Sequence, residues 1–243
     1  MSQFLSVFKF EVLYYARRIS TYVYFGIFFG LSVLLMSAIG GAFDSVSVGF
    51  GGGGGNVAVN SPWALFGLVA SLSLFGIIVT AALLGHSAQR DFETGSFPLF
   101  FTQPINKAAF LGGRFFGGLV TNAFVFLAIP LGVWFGALLP FLDAERLGPH
   151  LPSHYLDPFI NLVLPNMFFT GALFFGLALI SRRMLPNYVG GAVLLIGYLI
   201  SGQLVSDMEN EFVASLIDPF GGQAFTTLTK YWTVAEKNTL MIP

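Results

Sequence analysis

The sequence predicts an all-α membrane protein, a polytopic bundle of transmembrane helices, and three observations carry that prediction. Hydrophobic residues fill 55% of its 243 positions and charged residues 9%, where a soluble domain has about 25% charge; mean hydropathy is +0.78. Five uncharged apolar runs follow one another along the chain. Most Lys and Arg fall before the first run, between the second and third, or between the fourth and fifth, as they do when one set of short segments stays in the cytoplasm.

An α-helix rises about 1.5 Å per residue, so crossing the hydrocarbon core takes about 20 mainly apolar residues. Thr21 to Gly41, Trp63 to Gly85, Phe115 to Phe141, Phe159 to Ile180 and Asn187 to Ser206 meet that length and hold no Asp, Glu, Lys or Arg. Five such helices buried in a soluble protein of this size would leave nothing to form a wetted surface. The run after Thr21 is too long for the apolar core of a cleavable signal and no small-residue cleavage site closes it, so it reads as a retained first helix. With the N-terminus inside, the inner segments hold Lys9, Arg17, Arg18, Arg90, Lys107, Arg114, Arg182 and Arg183, and the outer ones only Arg146, Lys230 and Lys237. Five crossings then put the C-terminus outside. Residues 1–206 form the membrane domain and 207–243 an extracytoplasmic segment.

Net charge of -1 without a dense basic patch excludes a nucleic-acid partner. The absence of cysteine excludes disulfides, thiolate metal sites and a cysteine nucleophile, and no cofactor is expected. Several spans carry helix-perturbing or polar residues: Asn122 and Pro130, then Asn161, Pro165 and Asn166, then Gln203. Amides and prolines serve helix packing in membranes, where neighbours satisfy the freed backbone groups; the functional alternative makes Asn122, Asn161, Asn166 and Gln203 a substrate path.

Residues 2–18 read as a helix on the inner surface, with Phe4, Leu5, Phe8, Val12 and Tyr15 on one arc and Lys9 and Arg17 away from it. Phe10 and Leu13 fall on the polar side, which implies deep immersion in the interface or packing against another protein surface. Gly51 to Gly55 lack the downstream Lys-Ser or Lys-Thr of a phosphate-binding loop and read as a flexible linker.

The inner loop, 86–110, is the most informative segment. A helix leaves the bilayer through Arg90, Asp91 and Glu93, Gly95 permits a sharp turn, Pro98 suits the first turn of a short helix, Pro104 ends it, and Asn106 caps the helix carrying Lys107 and Arg114. Phe97, Phe100 and Phe101 beside those charges form a docking site or dip into the membrane interface.

Arg90, Asp91, Glu93 and Gly95, followed by Thr102, Pro104 and Ile105, with Arg17 and Arg18 ahead of the first span, give the chain its resemblance to the permease subunits of ABC-2 type ATP-binding-cassette transporters. Ile217 to Gly221, Thr229 to Thr233 and Glu236 to Asn238 are similar to a subgroup whose members sometimes continue into a zinc aminopeptidase domain; no HExxH motif occurs here. The resemblance implies a separate cytoplasmic ATPase subunit as partner, seated on the loop helix through Phe97, Leu99, Phe100 and Phe101, with Arg90, Asp91 and Glu93 orienting that helix. It also implies a homodimer or a second permease, the bacterial inner membrane, and six spans, so that the chain is truncated or its last helix lost. No ATP hydrolysis is expected in this chain.

Two alternatives compete. A metal enzyme would rest on His150, His154 and Asp157, but Pro152 between the histidines favours solvent-exposed loop histidines. A non-transporting anchor for a partner would have the same spans. The acidic and aromatic residues of 207–243 read as an ordered lid.

Overall fold

The computed structural model describes residues 2–42, 56–98, 102, 104–206, 213, 215–216 and 218–242, with backbone alone for 201–206. Among them every regular element is helical. The first helix, α1 (Gln3–Ala16), starts where the Ser2 hydroxyl accepts the Leu5 N–H. Thr21 and Tyr22, in the first turns of α2 (Ile19–Ile39), return their hydroxyls to the carbonyls of Tyr15 and Ala16, fixing the elbow between the two helices.

The third helix, α3 (Pro62–Glu93), continues well past the expected end of its span. Ser61 caps its start by accepting the Ala64 N–H, and the chain turns away through Gly95, whose φ of +67° lies in the left-handed region that glycine adopts without strain. Asn106 caps α4 (Lys107–Phe126) as expected, its Oδ1 accepting from Ala108 at 2.9 Å. The helix breaks at Leu127 and resumes as α5 (Ala128–Ala137). Pro130 accounts for the break, since it offers no N–H to the Phe126 carbonyl and its ring crowds that group.

One boundary is corrected. The fourth span was expected from Phe159, with Pro152 favouring loop histidines over a regular helix before it. Instead Pro152 opens a helical run to Ser181, comprising α6 (Pro152–Pro158), a π-helical turn (Phe159–Val163) and α7 (Leu164–Ser181). Proline is well suited to a first turn, where its missing N–H would have no partner. Pro165 explains the π turn, because it cannot bond the Asn161 carbonyl and the widened turn relieves the clash. His154 is consequently a buried helix residue, not a solvent-exposed loop residue, while His150 is exposed with Nδ1 3.0 Å from the Tyr155 hydroxyl.

The remaining helices are α8 (Leu185–Ser206), α9 (Gly222–Thr229) and α10 (Val234–Thr239). Among the described residues four helical stretches are long and apolar enough to cross a membrane: Ile19–Ile39, Pro62–Glu93, Lys107–Ala137 and Pro152–Ser181. In α8 the apolar stretch is the shorter Leu185–Ile200. Tyr22, Val23, Ile27, Leu31 and Leu34 all stand exposed along α2, and Val189, Val193, Ile196 and Ile200 along α8. Water does not tolerate such continuous apolar faces on a monomer, whereas lipid does.

The helices contribute to two compact units, Met1–Tyr24 with Phe75–Val125 and Met167–Tyr198, and Phe25–Leu74 with Phe126–Asn166 and Leu199–Pro243. In the first, Phe115 meets Phe168 and Phe175 edge to face at 5.6 and 5.4 Å, and Asn187 donates to the carbonyls of Ala81 and Phe174. In the second, α2 and α5 approach closely at Gly132 and Gly136. The four-residue spacing puts both glycines on one face, the small-residue pattern that lets membrane helices touch backbones. Also in the second, Phe66, Leu162 and Ile242 form a core joined by Phe225 and Trp232. Two acidic residues of the expected lid cap helices: Asp218 accepts from Phe220 N and from Gln223 N in the first turn of α9, and Glu236 forms a capping box with Thr233 that holds its carboxyl below the usual range.

A Cβ at Gly132 would lie 2.6 Å from the Phe29 carbonyl oxygen and 2.7 Å from Ser32 Cβ. Gly132→Leu is therefore expected to cost roughly 1–3 kcal/mol by overpacking, read as an earlier thermal unfolding transition in detergent. Gly176→Leu, where a Cβ meets nothing within 4 Å, is expected to leave that transition in place.

Candidate functional site

At the end of α3 the first unit buries four charges. Arg90 and Asp91 are neighbours in sequence, and the helix sets successive residues about 100° apart, so one reaches α1 and the other α4. Arg90 donates from Nη2 to Glu11 Oε2 at 2.7 Å and from Nη1 to Oε1 at 3.3 Å. Arg114 of α4 donates from Nη2 to Asp91 Oδ1 at 2.6 Å and from Nη1 to the Ser87 carbonyl at 2.8 Å. Ser87, one turn earlier, donates its hydroxyl to Glu11 Oε1 at 2.7 Å and lies 3.0 Å from the Arg114 carbonyl. Glu11 is 0% exposed, Arg114 3%, and Arg90 and Asp91 8% each.

Two opposite pairs leave the cluster with no net charge, which makes its burial tolerable; a carboxylate or guanidinium alone would bear the full loss of hydration. Aromatic rings supply further cover. The Arg90 guanidinium sits 4.0 Å from the Tyr14 ring centre and that of Arg114 4.8 Å from Phe110, favourable positions for a cation over a ring face. Tyr15 donates its hydroxyl to the Leu83 carbonyl at 2.8 Å, and its burial raises the phenol pKa.

Glycine explains how α1 comes so near. Gly113 and Gly117 of α4 share a face, and a Cβ there would lie 2.8 Å from Val7 Cβ and 2.6 Å from Glu11 Cβ; at the adjacent Gly118 it would lie 3.2 to 3.4 Å from Leu84 and Ser87 of α3. The segment Gly112-Gly113 and Gly117-Gly118 thus admits a helix on each side. The buried arc of α1 is centred near Phe4, Val7, Phe8, Glu11 and Tyr15, so the expected surface helix packs against its own chain. Leu5, expected on the apolar arc, is exposed.

The loop following α3 is held at both ends. On one side the Thr94 and Ser96 N–H groups bond the carbonyls of Arg90 and Asp91. On the other, Gln3 of α1 accepts the Asn106 N–H through Oε1 at 3.0 Å and donates Nε2 to the Pro104 carbonyl at 3.3 Å. Between them Phe97 is 40% exposed and stacks on Phe92 at 5.5 Å. Phe97 and Pro98 are helical, and Thr102 donates its N–H to the Pro98 carbonyl. Leu99, Phe100 and Phe101 lie outside the described residues.

Sequence reasoning grouped Arg90, Asp91 and Glu93 as the charges beside the docking phenylalanines. Only Glu93 is exposed; the other two face inward. It missed Glu11, Ser87, Arg114 and Gln3, although a lone acid inside an apolar arc facing a double-glycine pattern was a readable signal. The asparagines of the suggested substrate path each have partners within their own unit. Asn122 is buried in the first unit and donates to Thr80 Oγ1; in the second unit Asn161 is exposed and donates to Asp157, and Asn166 donates to the Phe220 carbonyl. The Gln203 side chain lies outside the description. Among the described residues no group of three or more His, Asp or Glu is placed to hold a metal ion. Comparison with protein-family models, curated proteins and solved structures finds no match for this chain.

Removing one member of the Glu11 and Arg90 pair strands a buried charge, a loss of roughly 3–5 kcal/mol. Glu11→Leu is expected to lower the unfolding temperature in detergent sharply, and Glu11→Leu with Arg90→Met to recover most of it. A single variant as stable as the parent would show that the pair is not buried.

Proposed function

We propose that this chain is the membrane-spanning permease component of an ABC-2 type ATP-driven transporter, a bacterial inner-membrane protein of five spans with its N-terminus in the cytoplasm. One observation carries the reading: the loop between α3 and α4 is tied at both ends to α1, through Gln3 on one side and through the Arg90–Glu11 pair on the other, while Asp91 pairs with Arg114 of α4. A force applied at that loop is passed to three helices at once. This is the property required of a seat for a separate ATPase subunit, which hydrolyses ATP while this chain, paired with a second copy or another permease, supplies the path. The exposed Phe97 and Glu93 mark the contact face on the described part of the loop.

The absence of cysteine lets a single introduced thiol report sidedness. In intact spheroplasts a membrane-impermeant maleimide is expected to label Thr239→Cys and to reach Ser96→Cys only after permeabilisation. The reverse pattern would invert the orientation and remove the loop from the ATPase side.

Purified in mild detergent from its native host, the tagged chain is expected to carry an ATP-hydrolysing subunit. Phe97→Asp is expected to release that subunit without altering elution of the permease. An ATPase retained at the parental level, or none in the parental complex, would overturn the docking assignment.

A further inference from the structure

At the elbow between α1 and α2 lies a cavity of about 270 Å3 that the transport reading does not use. Val12 and Ala16 of α1 form one wall, Val120 and Phe124 of α4 another, and Tyr22 of α2 closes the end. Three hydroxyls border it and none is offered to its interior. Thr21 donates to the Tyr15 carbonyl at 2.9 Å, Tyr22 to the Ala16 carbonyl at 2.8 Å, and Thr121 to the Gly117 carbonyl at 3.0 Å. What remains facing inward is methyl groups and rings, a lining that holds hydrocarbon and repels water.

The surroundings specify the kind of hydrocarbon. Val120, Phe124 and Tyr22 are each more than 40% exposed beside the cavity, as are Leu13 of α1 and Ile19 of α2, so it opens on an apolar face suited to lipid. Arg17 lies in the turn directly after Ala16 and is exposed; Lys9, also exposed, sits one helical turn before Val12 on the same side of α1. An apolar slot flanked by two cations at a helix lying beside the spans matches one amphiphile, a phospholipid with an anionic headgroup. Basic residues near a membrane surface attract such headgroups, and a soluble ligand would have no reason to require the dry slot.

We infer that the α1–α2 elbow is a binding site for an anionic phospholipid, with one acyl chain in the cavity walled by Val12, Ala16, Val120 and Phe124 and the anionic headgroup attracted by Arg17 and Lys9. The site is independent of any ATPase partner. Lipid held there would fill the gap between α1 and α4 beside the Glu11 cluster and stiffen the elbow.

Native mass spectrometry of the full chain in mild detergent, with dioleoyl-phosphatidylglycerol or dioleoyl-phosphatidylcholine added in equal amount, tests this. The wild type is expected to retain phosphatidylglycerol in preference, and each of Arg17→Gln and Lys9→Gln to reduce that preference by about fivefold while leaving phosphatidylcholine retention unchanged. Both side chains are exposed, so these variants should fold. Ala16→Phe, which fills the slot, is expected to abolish retention of both lipids; its elution and helical content establish that it is folded, and Val120→Phe serves if it is not. Equal retention of the two lipids by the wild type, or undiminished phosphatidylglycerol retention in the Arg17 and Lys9 variants, would reduce the site to ordinary annular lipid and overturn the assignment.

Discussion

A carboxylate with no access to water, Glu11, imposes the constraint to which the first unit conforms. Once buried it must be matched, and Arg90 and Ser87 match it with three short contacts. Arg90 stands next to Asp91, which faces the same demand and meets it with Arg114. The glycines of α4 exist in this setting as clearance: any side chain at Gly113 or Gly117 would push α1 outward and open the pairs to solvent. Charge, helix spacing and glycine placement therefore form one arrangement. Buried ion pairs add little net stability compared with apolar packing, yet they strongly disfavour displaced registers that leave charges unmatched. That is a suitable property for a joint between α1 and the ends of two apolar helices.

The second unit reaches the same closeness of helices by apolar means. Gly132 and Gly136 bring α5 onto the backbone of α2, and Phe28 stacks on Phe126 at 5.5 Å. Polar side chains there close turns and caps: Asn60 exchanges hydrogen bonds with Gly148 through both N–H donation and acceptance, and Asn238 ties Asn56 and Ala58 together. Gly221, with φ of +79°, starts α9 against Leu162. The Asn60 and Asn238 bonds satisfy backbone groups of loops far apart in sequence, and none of them uses a charged side chain.

Much of the helical layout was legible because length and apolarity are properties of contiguous sequence. The stretches beginning at Ile19, Pro62 and Lys107, the cap at Asn106 and the turn at Gly95 follow from residues close together in the chain. Pro130 and Pro165 stood out in the sequence as helix-perturbing residues, but the break at Leu127 and the π turn at Phe159–Val163 were not expected within spans read as continuous. Pro152 misled, since a proline breaks a helix or begins one according to which residues precede it. The ionic cluster was illegible for a different reason. Glu11 resembles any surface acid until Arg90 and the α4 glycines are placed beside it, and those partners are set by packing between segments far apart in sequence.

That separation has a consequence for how the chain is made. Glu11 precedes Arg90 by 79 positions and Gln3 precedes Asn106 by 103. At translation speeds of about 5–20 residues per second, roughly 4 to 16 seconds separate the synthesis of Glu11 from that of Arg90. During that interval Glu11 has to remain hydrated at the membrane surface, and α1 can dock only after α3 and α4 are in place. Docking of the first element synthesised is therefore a late step in assembly of the first unit, and a chain arrested before Arg114 would present that helix undocked to whatever surveys nascent membrane proteins.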